Sequence, residues 1–346
     1  MGQEVPRAIP MKTGKRTNGL ARFLTRFRRK RVAILVDLML DEYVWGQAHR
    51  ISPEAPIPVI EVQKTVSHPG GAANVAENVL ALGATPVLFG VVGNDPTGQA
   101  LLARLRTDGA DTAGVVEEEN RITTKKTRII AHNQQVVRVD QECTQPISYA
   151  TQEELAGRLQ AVLAGIDALI LSDYGKGVIV SPLIRKIWPL VRRTGVRCYV
   201  DSKGHSVRRF RGVFLAKLAK SEAERITHLQ IVDKKNLTKA ARTIAALYRC
   251  KYVVITEGPQ GMSVFLPPGR LHKIQALARE VYDVTGAGDT VIATLALALS
   301  AGASLIQAAR LASVAAGIVV GKVGTAVPTL AEIRRQLRAS RQQAGF

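Results

Sequence analysis

The sequence predicts an α/β fold: a mainly parallel, doubly wound sheet with helices on both faces, plus a small extra sheet. Three observations predict it. Short β-branched runs alternate with helical stretches along most of the chain, and repeated βα units build parallel sheets covered on both sides. Two segments break that rhythm with paired strand-like runs. Apolar residues make up 46% of the 346 positions, enough for a large core.

The elements follow in order. Residues 1–18 lack periodicity and are expected to be disordered. Leu20, Phe23, Leu24 and Phe27 then recur at helical spacing between Arg22, Arg26 and Arg28, a short basic amphipathic helix. The plainest outcome is packing on the domain; contact with anionic membrane or nucleic acid, and organelle targeting, are the alternatives. Val32–Val36 reads as a buried parallel strand. Ala72–Leu82 reads as a helix stopped by Gly83, Val87–Val92 as a strand, and Thr97–Asp108 as a helix before Gly109. Further strands are expected at Ala168–Leu171, Arg197–Val200, Val213–Leu215 and Tyr252–Ile255.

The rhythm breaks at residues 42–66 and 121–142. Tyr43–Trp45 and Val59–Val62 flank a Pro-rich turn; Lys126–Ile130 and Gln135–Val139 flank His132-Asn133. Neither stretch is followed by an expected helix. Four strands of a small lid over the strand ends result, and ligands in open α/β sheets bind at those ends. The apolar character of these strands predicts pairing with a second subunit, since exposed edges are usually covered.

The net charge is +20, much of it in residues 1–31, where Glu4 is the single acid. This favours anionic partners such as phosphorylated metabolites. No run reaches the ~20 apolar residues of a membrane span, and a cytoplasmic location is expected. Cys143, Cys198 and Cys250 show no ligand spacing, which argues against a disulfide scaffold or a structural metal site.

Asp283-Val-Thr-Gly-Ala-Gly-Asp-Thr290 follows a strand-like run and precedes the apolar stretch Val291–Leu299. Gly286 and Gly288 permit a tight turn. With Ala287 they would aim free amides from a helix start, an anion site. Asp289 in that first turn is either a base for an attacking hydroxyl or simply a helix-capping residue. Gly317-Ile-Val-Val-Gly-Lys322 only mimics a phosphate loop, because its glycine spacing is short and Val323 stands where a hydroxyl belongs. No G-x-G-x-x-G opens a helix after the first strand, which disfavours a dinucleotide fold.

This motif resembles the C-terminal signature of the ribokinase-like (PfkB) carbohydrate kinases. His68-Pro-Gly-Gly-Ala-Ala-Asn74 resembles their N-terminal signature. The resemblance implies a three-layer αβα sandwich with a β lid and an ATP-dependent sugar kinase using Mg²⁺. Asp289 would be the general base, with Gly286, Ala287 and Gly288 as the anion hole. Asp41, taken as the Asp at the end of the first strand, would bind sugar with Gly70, Gly71 and Asn74. Glu222, Thr256, Gly258 and Thr285 would serve the nucleotide, with Glu222 an indirect metal ligand. A homodimer through the lids is implied, and no nucleic-acid partner is expected.

Asp37–Tyr43, Arg50–Val59, Lys126–Arg128, Gln134–Asp140 and Ser172–Gly177 further resemble the kinase domain of the bacterial heptose enzymes. That implies phosphorylation of the anomeric hydroxyl of D-glycero-β-D-manno-heptose 7-phosphate, on the way to ADP-heptose and lipopolysaccharide. Lys126, Arg128, Arg138 and Lys176 would then meet the distal phosphate. The organisation expected is a basic arm over 1–31, a kinase domain over 32–338 and a tail over 339–346, with no adenylyltransferase domain and hence a stand-alone kinase. Several positions depart from the pattern: Val36 before Asp37, Ser202, Ala219 where an Asn is usual, and Glu257 where a basic residue is common. These cluster on the nucleotide side, so another sugar kinase, or a weakened non-catalytic binder of sugar phosphate, is the competing expectation.

Overall fold

The computed structural model describes residues 19–342 except 72, 133, 204–206, 268, 278–280, 323 and 325. The disorder expected for residues 1–18, and residues 343–346 of the expected tail, lie outside the described residues.

Leu20 through Arg29 form a short helix, α1 (Ala21–Leu24), and a single 3₁₀ turn. Leu20, Phe23, Leu24 and Phe27 are buried, and α1 packs against the last helix, α10 (Leu330–Gln342), which contributes Ile333 and Leu337 to the same core. Burial of four large apolar side chains is the packed arrangement expected of the arm.

The chain then builds β1 (Arg31–Val36), β2 (Leu38–Ile51), β3 (Pro58–Gly71), α2 (Ala73–Ala81), β4 (Thr85–Gly93), α3 (Pro96–Thr107) and β5 (Asp111–Glu118). β6 (Thr124–Ala131) and β7 (Gln134–Gln141) make a hairpin, followed by α4 (Tyr149–Val162), β8 (Ala168–Asp173), α5 (Ser181–Thr194) and β9 (Arg197–Ser202). Next come β10 (Leu215–Ala219), α6 (Lys220–Thr227), α7 (Lys234–Tyr248), β11 (Tyr252–Thr256), β12 (Met262–Leu266) and β13 (Arg270–Ile274). Two long apolar helices, α8 (Ala287–Ser300) and α9 (Leu305–Val319), precede α10.

Among the described residues, nine strands form one sheet in the order β13-β12-β11-β10-β9-β8-β1-β4-β5. All neighbours from β11 to β5 are parallel, whereas β12 and β13 add antiparallel edges. Alternate residues of β1 enter two different cores. Val32, Ile34 and Val36 face the layer of α2, α8 and α9, while Ala33 and Leu35 face the layer of α4, α5 and α7. A strand buried on both faces must be apolar at every position, which explains the run Val32–Val36. The chain winds away from β1 in one direction through β4 and β5, and in the other through β8 to β11. The carboxyl ends of β1 and β8 therefore flank the switch point, where such sheets open a crevice.

The second sheet has the order β3-β2-β6-β7. It is the expected lid, but larger: β2 and β3 pair from Leu38 to Gly71 with two register shifts, and β3 ends only one residue before α2. The expectation that no helix follows this stretch is thus corrected. The strand expected at Val213–Leu215 is also displaced, because β10 runs from Leu215 to Ala219. Tyr282 and Asp283 lie outside any strand, their amides donating to the Val320 carbonyl, and residues 278–280 of the strand-like run before them lie outside the described residues.

Candidate active site

Helix α8 starts where the sequence places it. Gly286 is its N-cap at φ 79°, in the left-handed region, and no side chain caps the first turn. Gly286, Ala287 and Gly288 line a cavity of about 610 Å³ at the carboxyl ends of β10 and β11, and the Ala287 amide already donates to the Val284 carbonyl at 3.3 Å. Asp289 reaches the same cavity from one residue further on. The lining also includes the apolar residues Leu277, Val281, Val284, Ala316 and Val320, which suit an aromatic base rather than a charged group.

Asp289 is 4% exposed. Asn74 Nδ2 donates to its Oδ2 at 3.1 Å, and the Tyr174 hydroxyl donates to its Oδ1 at 2.9 Å. Burial, then the nearby Asp201 carboxylate, pushes its carboxyl up from 3.8 to about 6, against Lys203, Lys217 and the Asn74 hydrogen bond. Such a group is still mostly ionised at neutral pH and far more basic than an ordinary aspartate, the tuning expected of a general base.

The two signature segments meet through helix α2. Asn74 stands in its first turn, and Asn78 one turn later donates to the Asn74 carbonyl at 2.8 Å and accepts from Thr290 Oγ1 at 2.7 Å. This buried chain of amides and hydroxyls fixes the start of α2 against the start of α8. Just before it, Gly70 and Gly71 end β3 beneath the lid strand β2. A Cβ at Gly70 would lie 2.4 Å from Asp41 Oδ2, and Gly71 takes φ 50°. The glycines are thus required by close approach and backbone conformation.

Asp41 itself is not at the end of the first strand. It lies within β2, paired with His68 of β3 and Lys126 of β6. The carboxylate that follows β1 is Asp37, which accepts backbone N–H groups from Tyr174, Lys176 and Val178. Asp37 holds the β8–α5 loop, whereas Asp41 faces Arg128, whose Nη1 donates to it at 2.6 Å. Arg128 also stacks over Tyr43, 5.2 Å from the ring centre.

The four cations expected to meet a distal phosphate are brought to one region, but all are already paired. Arg128 holds Asp41; Lys126 holds Asp140 at 2.8 Å and Glu142 at 3.4 Å; Lys176 holds Glu142 at 2.6 Å; and Arg138 holds Asp140 at 2.9 Å. A phosphate there would have to compete with Asp140 and Glu142 for these groups.

On the nucleotide side, Thr256 and Gly258 line the cavity as expected. Thr285 is not among the cavity-lining residues; its amide donates to Asp283 Oδ1 at 2.8 Å and shapes the turn. Glu222 accepts the Ala219 amide at 2.7 Å and pairs with Lys203 at 3.2 Å, so both oxygens are engaged. Glu257, the acid that sequence would place near phosphates, does line the cavity, but its carboxylate is engaged. It accepts from Ser263 Oγ at 2.7 Å and pairs with Lys273 at 2.6 Å. Lys322 of the phosphate-loop mimic bonds Glu332 and the Val327 carbonyl.

Sequence reasoning assigned no role to Tyr174, Asn78 or Lys203, whereas Lys217, with Lys220, was legible as a cation that could offset the missing amide at Ala219. Lys203 pairs with Glu222, and Asp201, Glu222 and Asp289 keep its ammonium above the ordinary lysine range despite burial. Only Asn78 left a local signal, a buried-face amide one turn after Asn74.

Comparison with known proteins fits this arrangement. The pfkB family carbohydrate kinase model matches residues 34–332. The chain belongs to the pfkB family of carbohydrate kinases. Relatives named bifunctional protein HldE include those of Geotalea uraniireducens, 42% identical over 309 residues and 89% of this chain, and Helicobacter pylori, 42% identical over 304 residues and 88% of this chain. The chain spans 63% and 65% of those two proteins' lengths. Its fold is shared by phosphofructokinase-2 from Escherichia coli (TM-score 0.75, 20% identity, 90% of this chain and 99% of that one). It is also shared by Arabidopsis thaliana ribokinase complexed with ribose and ATP (TM-score 0.72, 19% identity, 89% and 99%). Membership of this pfkB family makes the chain an ATP-dependent carbohydrate kinase. Among the described residues, no helix is long and apolar enough to cross a membrane.

Among the described residues, no cluster of three or more acids, histidines or cysteines could hold a metal by itself. A Mg²⁺ ion here would be held largely by phosphate oxygens and water, as is usual for that ion. Among the described residues, the buried Oδ1 of Asp201 has no hydrogen-bond partner, and this orphaned oxygen fits a metal-bound water.

Proposed function

We propose that this chain transfers the γ-phosphoryl group of ATP to the anomeric hydroxyl of D-glycero-β-D-manno-heptose 7-phosphate. The observation that carries the transfer step is Asp289, a buried carboxylate raised to about 6 at the unblocked start of α8. The choice of sugar is supported by the relatives named HldE and by the cationic region under the lid.

In this reading the adenine meets the apolar lining residues of the cavity, and the phosphates point toward Gly286–Gly288. The sugar sits beneath the lid against Asp41, Gly70, Gly71 and Asn74. Asp289 takes the proton of the anomeric hydroxyl as that oxygen bonds to the γ-phosphorus and the bond to the ADP oxygen breaks. The α8 amides stabilise the negative charge on the transferring group. Asn74, bonded to Asp289, keeps the base aimed at the sugar side. Mg²⁺, bound with the nucleotide near Asp201, would neutralise charge on the phosphate oxygens. Lys126, Lys176 and Arg138 exchange part of their pairing with Asp140 and Glu142 for the distal phosphate. Glu257 is neutralised by Lys273, so this departure does not oppose ATP.

We further propose the organisation in which 1–31 is an arm and 32–338 the kinase domain, and pairing of two subunits through the lid. A coupled ADP-release assay with heptose 7-phosphate, fructose 6-phosphate, ribose and no sugar tests the reading. Turnover only with the heptose phosphate is expected. Equal or faster turnover with fructose 6-phosphate would refute the sugar assignment, and folded protein inert with every sugar would favour a non-catalytic binder.

A further inference from the structure

Lys217 stands inside β10, between Ala216 and Leu218, and is only 2% exposed. Lysine is rarely enclosed to this degree without a task. Its Nζ donates to Asp201 Oδ2 at 2.5 Å. An ammonium has three N–H groups, and among the described residues no other hydrogen bond from it is found. A Cβ placed on Gly288 would lie 3.0 Å from Nζ, so the charge packs directly on the turn whose amides open α8. Lys217 also lines the cavity. Stability alone does not account for the arrangement, because a buried ion pair gains little over an apolar pair of similar volume.

We propose that Lys217 is a phosphate-binding cation built into the cavity floor, completing the anion hole of Gly286–Gly288 for the polyphosphate of a nucleoside triphosphate. This rests on the kinase reading. Ala219, two residues on, carries no polar side chain to share the task. Among the described residues, the other cations lining the cavity are Lys203, paired with Glu222, and Lys220, at the more open start of α6. Among the described residues, Lys217 is the buried cation against this turn with donors to spare.

The test is calorimetric binding of ATP and of adenosine to the full chain in EDTA, where only the protein's own groups hold the phosphates. Lys217→Met leaves Asp201 buried without its partner and risks the fold, so it is accompanied by Lys217→Met/Asp201→Asn, which removes both charges and keeps the net charge. Wild type should prefer ATP to adenosine. The double variant should bind ATP about 10- to 100-fold more weakly, the range expected for a lost charged hydrogen bond, with adenosine affinity within twofold. Lys217→Arg should keep most of the ATP preference. A double variant with the wild-type ATP-to-adenosine ratio would overturn the proposal, as would a wild type that binds both ligands equally. Wild type that binds neither ligand would instead refute the kinase reading.

Discussion

Replacing Asp289 by Asn separates the chemistry of the site from its architecture. The change is isosteric, and the Asn oxygen can still accept from Asn74 or from Tyr174, whose hydroxyl can rotate to meet the new amide. What disappears is the proton acceptor. General base catalysis contributes roughly 10²–10⁴-fold, so kcat should fall by at least about 100-fold, which is ~3 kcal/mol of barrier. Sugar and ATP affinity should change little, because neither depends on proton transfer.

Stability should move in the opposite direction. In the unfolded chain the carboxyl titrates near 3.8, and in the fold near 6. A raised carboxyl disfavours the folded state once it ionises: the penalty is absent below about 4, grows as pH rises to about 6, and is complete above it. Its size is about 3 kcal/mol. Asn carries no such charge, so the melting temperature near pH 7.5 should stay level or rise. The assays are steady-state ADP release and thermal unfolding on the same preparation. A variant with more than a tenth of wild-type kcat would refute the base assignment. A variant several degrees less stable would show that the carboxylate is not held at a cost.

The same group should set the acid limb of the wild-type rate: kcat/KM should fall tenfold per pH unit below about 6, and a flat profile down to pH 5 would show that no base of this pKa is used. Gly70→Ala drives a methyl to within 2.4 Å of Asp41 Oδ2, so the sugar KM should rise at least tenfold while adenosine binding holds; a KM within twofold of wild type would mean that Asp41 and the glycine pair do not meet the sugar. Phe27→Ala removes a fully buried ring beneath α10 and should cost about 3–5 kcal/mol, read from urea unfolding; a loss below 1 kcal/mol would show that the arm is not part of the core.

Legibility from sequence tracked how local the cause was. β1, β4, β8, β9 and β11 are short apolar runs bounded by turn residues, and their positions were readable. β10 was misplaced because Lys217 interrupts its apolar pattern, and the physical reason for that lysine lies on β9 and α8. The lid was readable as four strands but underestimated in length, since β2 and β3 extend through residues whose pairing is set by the glycines and bulges between them. Asp289 and the Gly286–Gly288 turn were legible because a helix start and its amides are consecutive in sequence. Asn74 was legible as a candidate site residue, but its bond to Asp289 joins helices far apart in the chain. Tyr174 and Lys203 carried no pattern of their own.

The departures on the nucleotide side read differently once their surroundings are known. From sequence, an acid at 257 and an alanine at 219 suggest a cavity that has lost its hold on ATP. In the fold, Glu257 is neutralised by Lys273, while Lys217 adds a buried cation beside the amide turn. The cavity therefore holds a cation, paired with Asp201, close to where it loses an amide. A protein that only bound sugar phosphate would need neither this cation nor a carboxylate kept near 6 at a cost of about 3 kcal/mol, because in the proposed roles both would act on a phosphoryl group and a proton in transit rather than on a resting sugar. That pairing of a raised base with an added cation favours an active kinase over an inert binder.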